Sequence, residues 1–339
     1  MNKALPWPRT RLPAPGLGLV GLGALLACLT ISATLGAYGP IVRDWHAGGA
    51  EVFWHIRAPR LLMGLIAGAA LGVAGAQIQG LFRNPLADPG LIGVSAGAAL
   101  GAAMAIVLGS AALGTLMGPW ALMIAAFIGG LGVTALTWHL SRREGRVQIA
   151  RLLLMGIAIN AAAGAALGWL SFMASDEQLR SLTFWLLGSL GGSQWPPVLV
   201  CAAIVVLAIA WPLAAPSHAR GLNALSLGEA QAHLMGIQVR RLQRHCLLSV
   251  ALSVGAVTAL VGMVGFVGLL APHVVRQLAG PDHRRVLPGS AVVGACLVLL
   301  ADAGARTLAA PAELPLGVLT GLMGALAFMF ILHRRRMLA

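Results

Sequence analysis

Between Pro89 and Ser141 the chain runs for 53 residues without one aspartate, glutamate, lysine or arginine. A soluble core has no room for a segment that long and apolar, and in lipid every backbone N–H and C=O must be satisfied within the segment itself. The stretch must therefore fold as membrane helices. At about 20 apolar residues per crossing it is too long for one and right for two. The rest of the chain agrees. Only 10% of the 339 residues are charged and 58% are hydrophobic, with a mean hydropathy of +0.86, where a soluble domain carries about a quarter of its residues charged. Soluble enzymes, disordered chains and nucleic-acid binders are excluded, despite a net charge of +13. Lys3 is the single lysine, and the other 22 cations are arginines that punctuate apolar runs. They do not form the clustered cationic face of a nucleic-acid protein.

The charges mark helix ends. Residues 17–36 hold a retained first span, 61–82 a second, and 89–141 a third and fourth with a break near Gly109–Pro119, where Gly114, Gly118 and Pro119 signal a turn. Residues 152–175 and 196–214 give spans five and six, and 286–305 and 315–332 close the chain. The intervening 245–278 reads as one long helix or two short ones. Cytoplasmic segments carry the excess of cations. Lys3, Arg9 and Arg11 at one end and Arg334, Arg335 and Arg336 at the other put both termini in the cytoplasm, which requires an even count. The split then falls near Gly262–Gly265. The expectation is an all-α polytopic protein of ten transmembrane helices in one domain, 1–339. It comprises a tail (1–16), spans one to six (17–214), a cytoplasmic segment (215–244), spans seven to ten (245–332) and a tail (333–339). This topology puts 18 of the 23 cations inside and leaves Arg43, Arg57, Arg60, Arg180 and Arg306 outside. Trp45, Trp54, Trp185 and Trp195 fall at outer boundaries, where interfacial aromatics belong.

Glycines recur every fourth residue at Gly64, Gly68 and Gly72 and at Gly93, Gly97 and Gly101, small faces that let helices pack closely in lipid. The Gly/Pro-interrupted stretches 84–93 and 265–273 occupy corresponding places in the two halves, which suggests an inverted repeat of spans 2–5 and 7–10.

Several chemistries are absent. One lysine, at position 3, leaves no phosphate-binding GxxxxGK[ST] loop, so the chain cannot hold ATP in that way. There is no HExxH and no pair of intramembrane carboxylates. Cys28, Cys201, Cys246 and Cys296 lie singly in apolar runs, without metal-ligand spacing. Gly93-Val94-Ser95-Ala96-Gly97 matches the GxSxG nucleophile elbow, but that motif needs a strand before its serine, and the surroundings here are those of a Gly/Ala-rich membrane helix. A membrane hydrolase using Ser95 and an ion-coupled secondary transporter are the readings from other classes. Around Leu225–Ile237, Ser226 can cap a short helix with Leu227, Ala230, Leu234 and Met235 on its apolar face and Gly236 at its end. Such a helix between arginines suits a membrane surface or a partner's groove.

Phe82-Arg83-Asn84-Pro85-Leu86-Ala87-Asp88-Pro89, Leu227-Gly228-Glu229, Gly265–His273 and Ala301-Asp302-Ala303-Gly304-Ala305-Arg306 together resemble the permease subunits of bacterial importers for iron-siderophores, haem and vitamin B12. The resemblance extends from about residue 52 to the C-terminus, and Leu81–Ala98 is most similar to the haem-importer branch. It implies a homodimer in the bacterial inner membrane that receives ligand from a periplasmic substrate-binding protein. It also implies two ATP-binding subunits on the cytoplasmic side that hold ATP and Mg, the permease itself binding no cofactor. By resemblance, Arg57, Arg60 and Arg306 dock the binding protein, and Leu225, Leu227, Gly228, Glu229, Ala230, Leu234, Met235 and Gly236 couple to the ATPase. Asn84, Leu86, Ile149 and Ala150 form cytoplasmic constrictions; the last two are apolar where a relative has hydroxyls. Met155, Asn160, Trp169 and Met173 on span five would face the pathway. His273, after Pro272, reads as a hydrogen-bonded kink residue, not a metal ligand.

Overall fold

The computed structural model describes residues 14–35, 49–109, 118–143 and 146–336. Residues 1–13 and 337–339 of the tails, with Lys3, Arg9 and Arg11, and also Arg43, Trp45 and Gly114, lie outside the described residues. Thirteen helices are described: α1 Ala14–Thr34, α2 Ala50–Phe82, α3 Val94–Val107, α4 Pro119–Leu140, α5 Ile149–Met173, α6 Asp176–Leu187, α7 Trp195–Ala214, α8 Pro216–Ser226, α9 Glu229–Leu234, α10 Val239–Val261, α11 Val267–Ala279, α12 His283–Thr307 and α13 Leu316–Arg336. Strand structure is confined, among the described residues, to a two-residue antiparallel pairing, β1 Arg142–Arg143 with β2 Arg146–Val147, between α4 and α5. Each charge-free segment carries a helix. Six helices (α2, α4, α5, α7, α10 and α12) are long and apolar enough to cross a bilayer by length and composition.

The helix breaks have local causes. α3 ends at Leu108 and α4 starts at Pro119 after Gly118, whose φ is +52°. α10 stops at Gly262, with φ +79°, before α11 begins at Val267. α6 was not foreseen, although Ser175 and Gln178 form a capping box at its start. That S-x-x-Q signal is legible in the sequence. Gln178 also donates to the carbonyls of Ile106 and Val107, tying α6 to the end of α3.

α2 is the hub, with most of its apolar stretch buried within the single chain. A Cβ on Gly68 would overlap the backbone carbonyl of Gly294 in α12, and one on Gly72 would overlap that of Ser290. On the next turn Gly75 meets Gly268 of α11 in the same way. Gly97 and Gly101 of α3 likewise rest on Gly129 and Ala125 of α4. Both glycine stripes are therefore contact faces, against backbone at Gly68, Gly72, Gly97 and Gly101 and against side chains at Gly64 and Gly93, where close approach supplies the dispersion that hydrophobic burial cannot supply in lipid. A larger side chain at Gly72 must separate α2 from α12. We expect Gly72→Val to abolish recovery of monodisperse protein in detergent, whereas Gly132→Ala, which meets open space, should leave the melting temperature unchanged or slightly raised.

Candidate functional site

Three regions gather the residues singled out above. At one end of the bundle the first is a buried ionic cluster. α2 begins with a π turn, Phe53–Arg57, that delivers Arg57 and Arg60 to the same rim. Arg60 donates from Nε to Asp302 Oδ1 at 3.0 Å and straddles Glu313, with Nη1 to Oε1 at 2.9 Å and Nη2 to Oε2 at 3.0 Å. Asp302 also pairs with Arg306 one turn later, at 3.1 Å. The cluster then grips the end of α1. Arg57 Nη1 donates to the carbonyls of Ala33 (2.8 Å) and Thr34 (3.1 Å). Arg306 donates from Nη1 to Leu35 O and from Nη2 to Ser32 O, both at 2.9 Å. The last carbonyls of a helix have no intrahelical partner, and here the two arginines supply one.

The structure thus brings Arg57, Arg60 and Arg306 together but corrects their expected presentation. They are 6–7% exposed, with donors committed inside the chain, because Asp302, Glu313 and the α1 carbonyls compete for them. Glu313 is the residue the sequence reading left unassigned. Trp54 and Trp195 do meet near this end, the Trp195 indole donating to Trp54 O at 2.8 Å.

The second region is the loop after α2. Asn84 and Leu86 are exposed, and Asn84 Oδ1 accepts from Leu86 N at 3.0 Å, folding the loop on itself. Asp88 caps the single 3-10 turn Pro89–Ile92 by accepting from Gly90 N at 2.8 Å. Burial pushes the Asp88 carboxyl up, and the Gly90 N–H holds it back. Asn160 of α5 donates to Gly90 O at 3.0 Å, so it braces this turn instead of lying free. Ile149 packs against the core while its neighbour Ala150 is exposed. Along α5, Met155 is half-buried, and Trp169 and Met173 are 66% and 56% exposed. His273, buried in α11 after Pro272, contacts Gln277 one turn on at 2.8 Å. Ser95 lies in the first turn of α3 with no strand before it, so the nucleophile-elbow geometry is missing.

The third region is the segment between α7 and α10. The sequence suggested one helix capped by Ser226. Instead α8 ends there, with Ser226 Oγ donating to Asn223 O at 2.6 Å. The chain then turns at Gly228, whose φ of +117° with ψ 155° suits only glycine. α9 follows, and Gly236, at φ +77°, ends it. The candidate residues divide accordingly. Leu225 is fully buried, whereas Leu227, Leu234 and Met235 are 64%, 88% and 61% exposed. Ala230 is exposed and Glu229 half-buried. Beside α9 lies a groove of about 600 Å³ lined by Glu229, His233, Gly236, Ile237, Arg240 and Arg241. Leu227, Leu234 and Met235 thus stand exposed at the two ends of a short, glycine-bracketed helix, the kind of apolar surface that marks an interaction site.

No catalytic constellation accompanies these regions, and no group of three or more metal-ligating side chains occurs among the described residues. A bundle of long apolar helices organised by glycine contacts, with a buried ionic cluster at one end, has the build of an integral membrane protein. The chain belongs to the FecCD transport family, which matches residues 14–334. It is 45% identical over 324 residues to the hemin transport system permease protein HmuU of Yersinia pestis, covering 93% of this chain and 96% of that one. It is 37% identical over 309 residues to the vitamin B12 import system permease protein BtuC of Escherichia coli, covering 91% and 92%. Among solved structures it superimposes, with a TM-score of 0.82 and 31% identity, on a metal-chelate type ABC transporter in an inward-facing conformation, covering 94% of this chain and 99% of that one.

Removing one member of a buried ion pair strands the others and costs about 3–5 kcal/mol. Asp302→Ala leaves Arg60 and Arg306 facing each other, and we expect it to lower the thermal stability of the purified protein far more than Arg180→Ala, on exposed α6. Equal melting temperatures for the two variants would contradict the assigned role of Asp302.

Proposed function

We propose that this chain is the membrane-spanning permease of an ATP-driven importer that carries haem, or another iron chelate or cobalamin, from the periplasm to the cytoplasm. It works as a homodimer in a bacterial inner membrane. The observation that carries the reading is the joint one of family membership over nearly the whole chain and a short helix, α9, with large apolar side chains exposed at both its ends, on a protein with no nucleotide loop of its own. Energy must come from a partner, and α9 offers the surface for it. Two ATP-binding subunits holding ATP and Mg seat Leu227, Leu234 and Met235, with Ala230, Glu229 and the glycine turns setting their position. The 45% identity to a hemin permease favours haem over the related ligands.

In this reading ten helices cross the membrane: α1 to α5, α7 and α10 to α13. Both termini are cytoplasmic, and spans 2–5 and 7–10 form an inverted repeat. The cytoplasmic excess of arginine supports the orientation. α5 is apolar and mostly uncovered in the single chain, which suits a face against the second copy and the pathway, with Met155, Trp169 and Met173 along it. Asn84, Leu86, Ile149 and Ala150 narrow the cytoplasmic mouth. A periplasmic substrate-binding protein docks over the ionic cluster. Because Arg60 is already paired, docking proceeds by carboxylate exchange with Glu313, the partner whose side chain is 41% exposed.

Two measurements test this reading. Leu234→Asp puts a charge on the large apolar side chain that α9 exposes, 88% open, and we expect it to lower co-purification of the ATPase subunits about tenfold or more, as loss of a buried apolar anchor does. Undiminished co-purification would remove α9 as the coupling surface. In a cysteine-free background, Leu234→Cys should react with impermeant thiol reagents only from the cytoplasmic side and Gly192→Cys only from the outside. The reverse pattern would invert the topology.

A further inference from the structure

α2, α8 and α12 interlock at one polar junction that none of the site assignments uses. Asn223, in α8, donates from Nδ2 to Asp282 Oδ1 at 2.6 Å. Its Oδ1 accepts from the backbone N–H of His283 at 2.9 Å and lies 2.8 Å from His283 Nδ1. Asp282 is at the same time the N-cap of α12, accepting from Arg284 N at 2.9 Å. An amide oxygen can only accept, so the Nδ1 contact calls for a proton on Nδ1 and leaves Nε2 bare. His283 Nε2 is indeed buried without a hydrogen-bond partner. It abuts Gly80 in the last turns of α2, where a Cβ would stand 2.7 Å from Nε2 and 3.2 Å from Leu222 Cδ2 of α8.

Each end of this junction leads to a functional region. On one side α8 finishes three residues after Asn223, and Leu227-Gly228 lead directly into α9. On the other, Gly80 O accepts from Arg83 N at 3.3 Å and Gln79 O from Asn84 N at 3.1 Å, so the turn facing His283 also begins the Asn84–Leu86 loop. Arg276 of α11 bonds Gln79 Oε1, holding that turn from a further side.

We propose that the Asn223–Asp282–His283 junction is the rigid link that carries displacement of α9 to the Asn84–Leu86 loop, with Asn223 a positioning residue for transport. The inference rests on the reading of α9 as the site where the ATPase acts. Apolar contacts between α8 and its neighbours can slide. Three polar contacts from one short amide fix register, because a partly buried amide that slips loses partners that water cannot readily replace. The missing Cβ at Gly80 removes any cushion between the His283 ring and the α2 backbone. α8, the α12 terminus and the end of α2 therefore move as one body.

The test uses the full complex of permease, ATPase and binding protein in liposomes. It measures ligand moved per ATP hydrolysed, with whichever of haem, cobalamin or a ferric siderophore the wild-type complex transports. For Asn223→Ala we expect ATPase subunits to co-purify at wild-type stoichiometry. Hydrolysis should continue, and ligand moved per ATP should fall by about fivefold or more, the lower end of typical coupling factors. His283→Ala should give a similar fall, and the double variant no further one, as for residues acting as a unit. An unchanged ratio in Asn223→Ala overturns the proposal, as do independent losses that multiply in the double variant. Should Asn223→Ala fail to assemble, the same ratio is read in Asn223→Gln, which keeps the amide but shifts it by one methylene. An unchanged ratio there is equally fatal. A wild-type complex that hydrolyses ATP without moving any ligand defeats the importer reading itself. A coupled wild type beside a fully coupled Asn223→Ala defeats only the junction.

Discussion

The contact of α2 with α12 is the constraint on which the rest of this protein depends. Helices in lipid gain little from burying apolar surface, since lipid tails are as apolar as leucine, and they associate through close packing instead. Here Gly68 and Gly72 let the backbones of the two helices touch at Gly294 and Ser290. That approach brings Arg60 within reach of Asp302 at one end of the pair and Gly80 against His283 at the other. One packing register therefore fixes both the ionic cluster and the polar junction. A register shift of a single turn would lose both.

The two ends carry different chemistry because they do different work. The Arg57–Arg60–Asp302–Arg306–Glu313 cluster spends its donors on holding helix ends together, including the last carbonyls of α1. Buried ion pairs are weak evidence of net stability, since desolvation offsets much of the attraction. Their geometric specificity is the firmer reason for five charged groups to sit at one rim. The opposite region is built for presentation. Gly228 and Gly236 isolate α9 from its neighbours, so Leu234 stands exposed at the end of this six-residue helix, with Leu227 and Met235 exposed on either side of it.

Much of this fold was legible in the sequence, because charge-free runs and glycine breaks act locally. The helix start at Pro119 and the break at 262–266 fell where Gly and Pro signalled them, and the four-residue glycine stripes proved to be contact faces. The site was legible in residue identity more than in geometry. Arg57, Arg60 and Arg306 were singled out as outward cations, yet apart from the Arg306–Asp302 pair one turn apart their partners lie far away in sequence, 242 residues for Asp302 from Arg60 and 274 for Ser32 from Arg306. No local pattern announces such pairs. The helix around Ser226 was misjudged for a local reason. Its apolar periodicity runs on through Gly228, whereas the backbone dihedral at that glycine breaks the helix in two.

The measurement closest to the central claim is uptake of haem into liposomes that contain this chain with its ATPase and binding protein. Paired samples would carry a hydrolysis-deficient ATPase. The account predicts accumulation of haem inside only when ATP is hydrolysed on the α9 side, with cobalamin and a ferric siderophore moving more slowly. Equal uptake with the deficient ATPase, or uptake driven by an ion gradient without any ATPase, would contradict it.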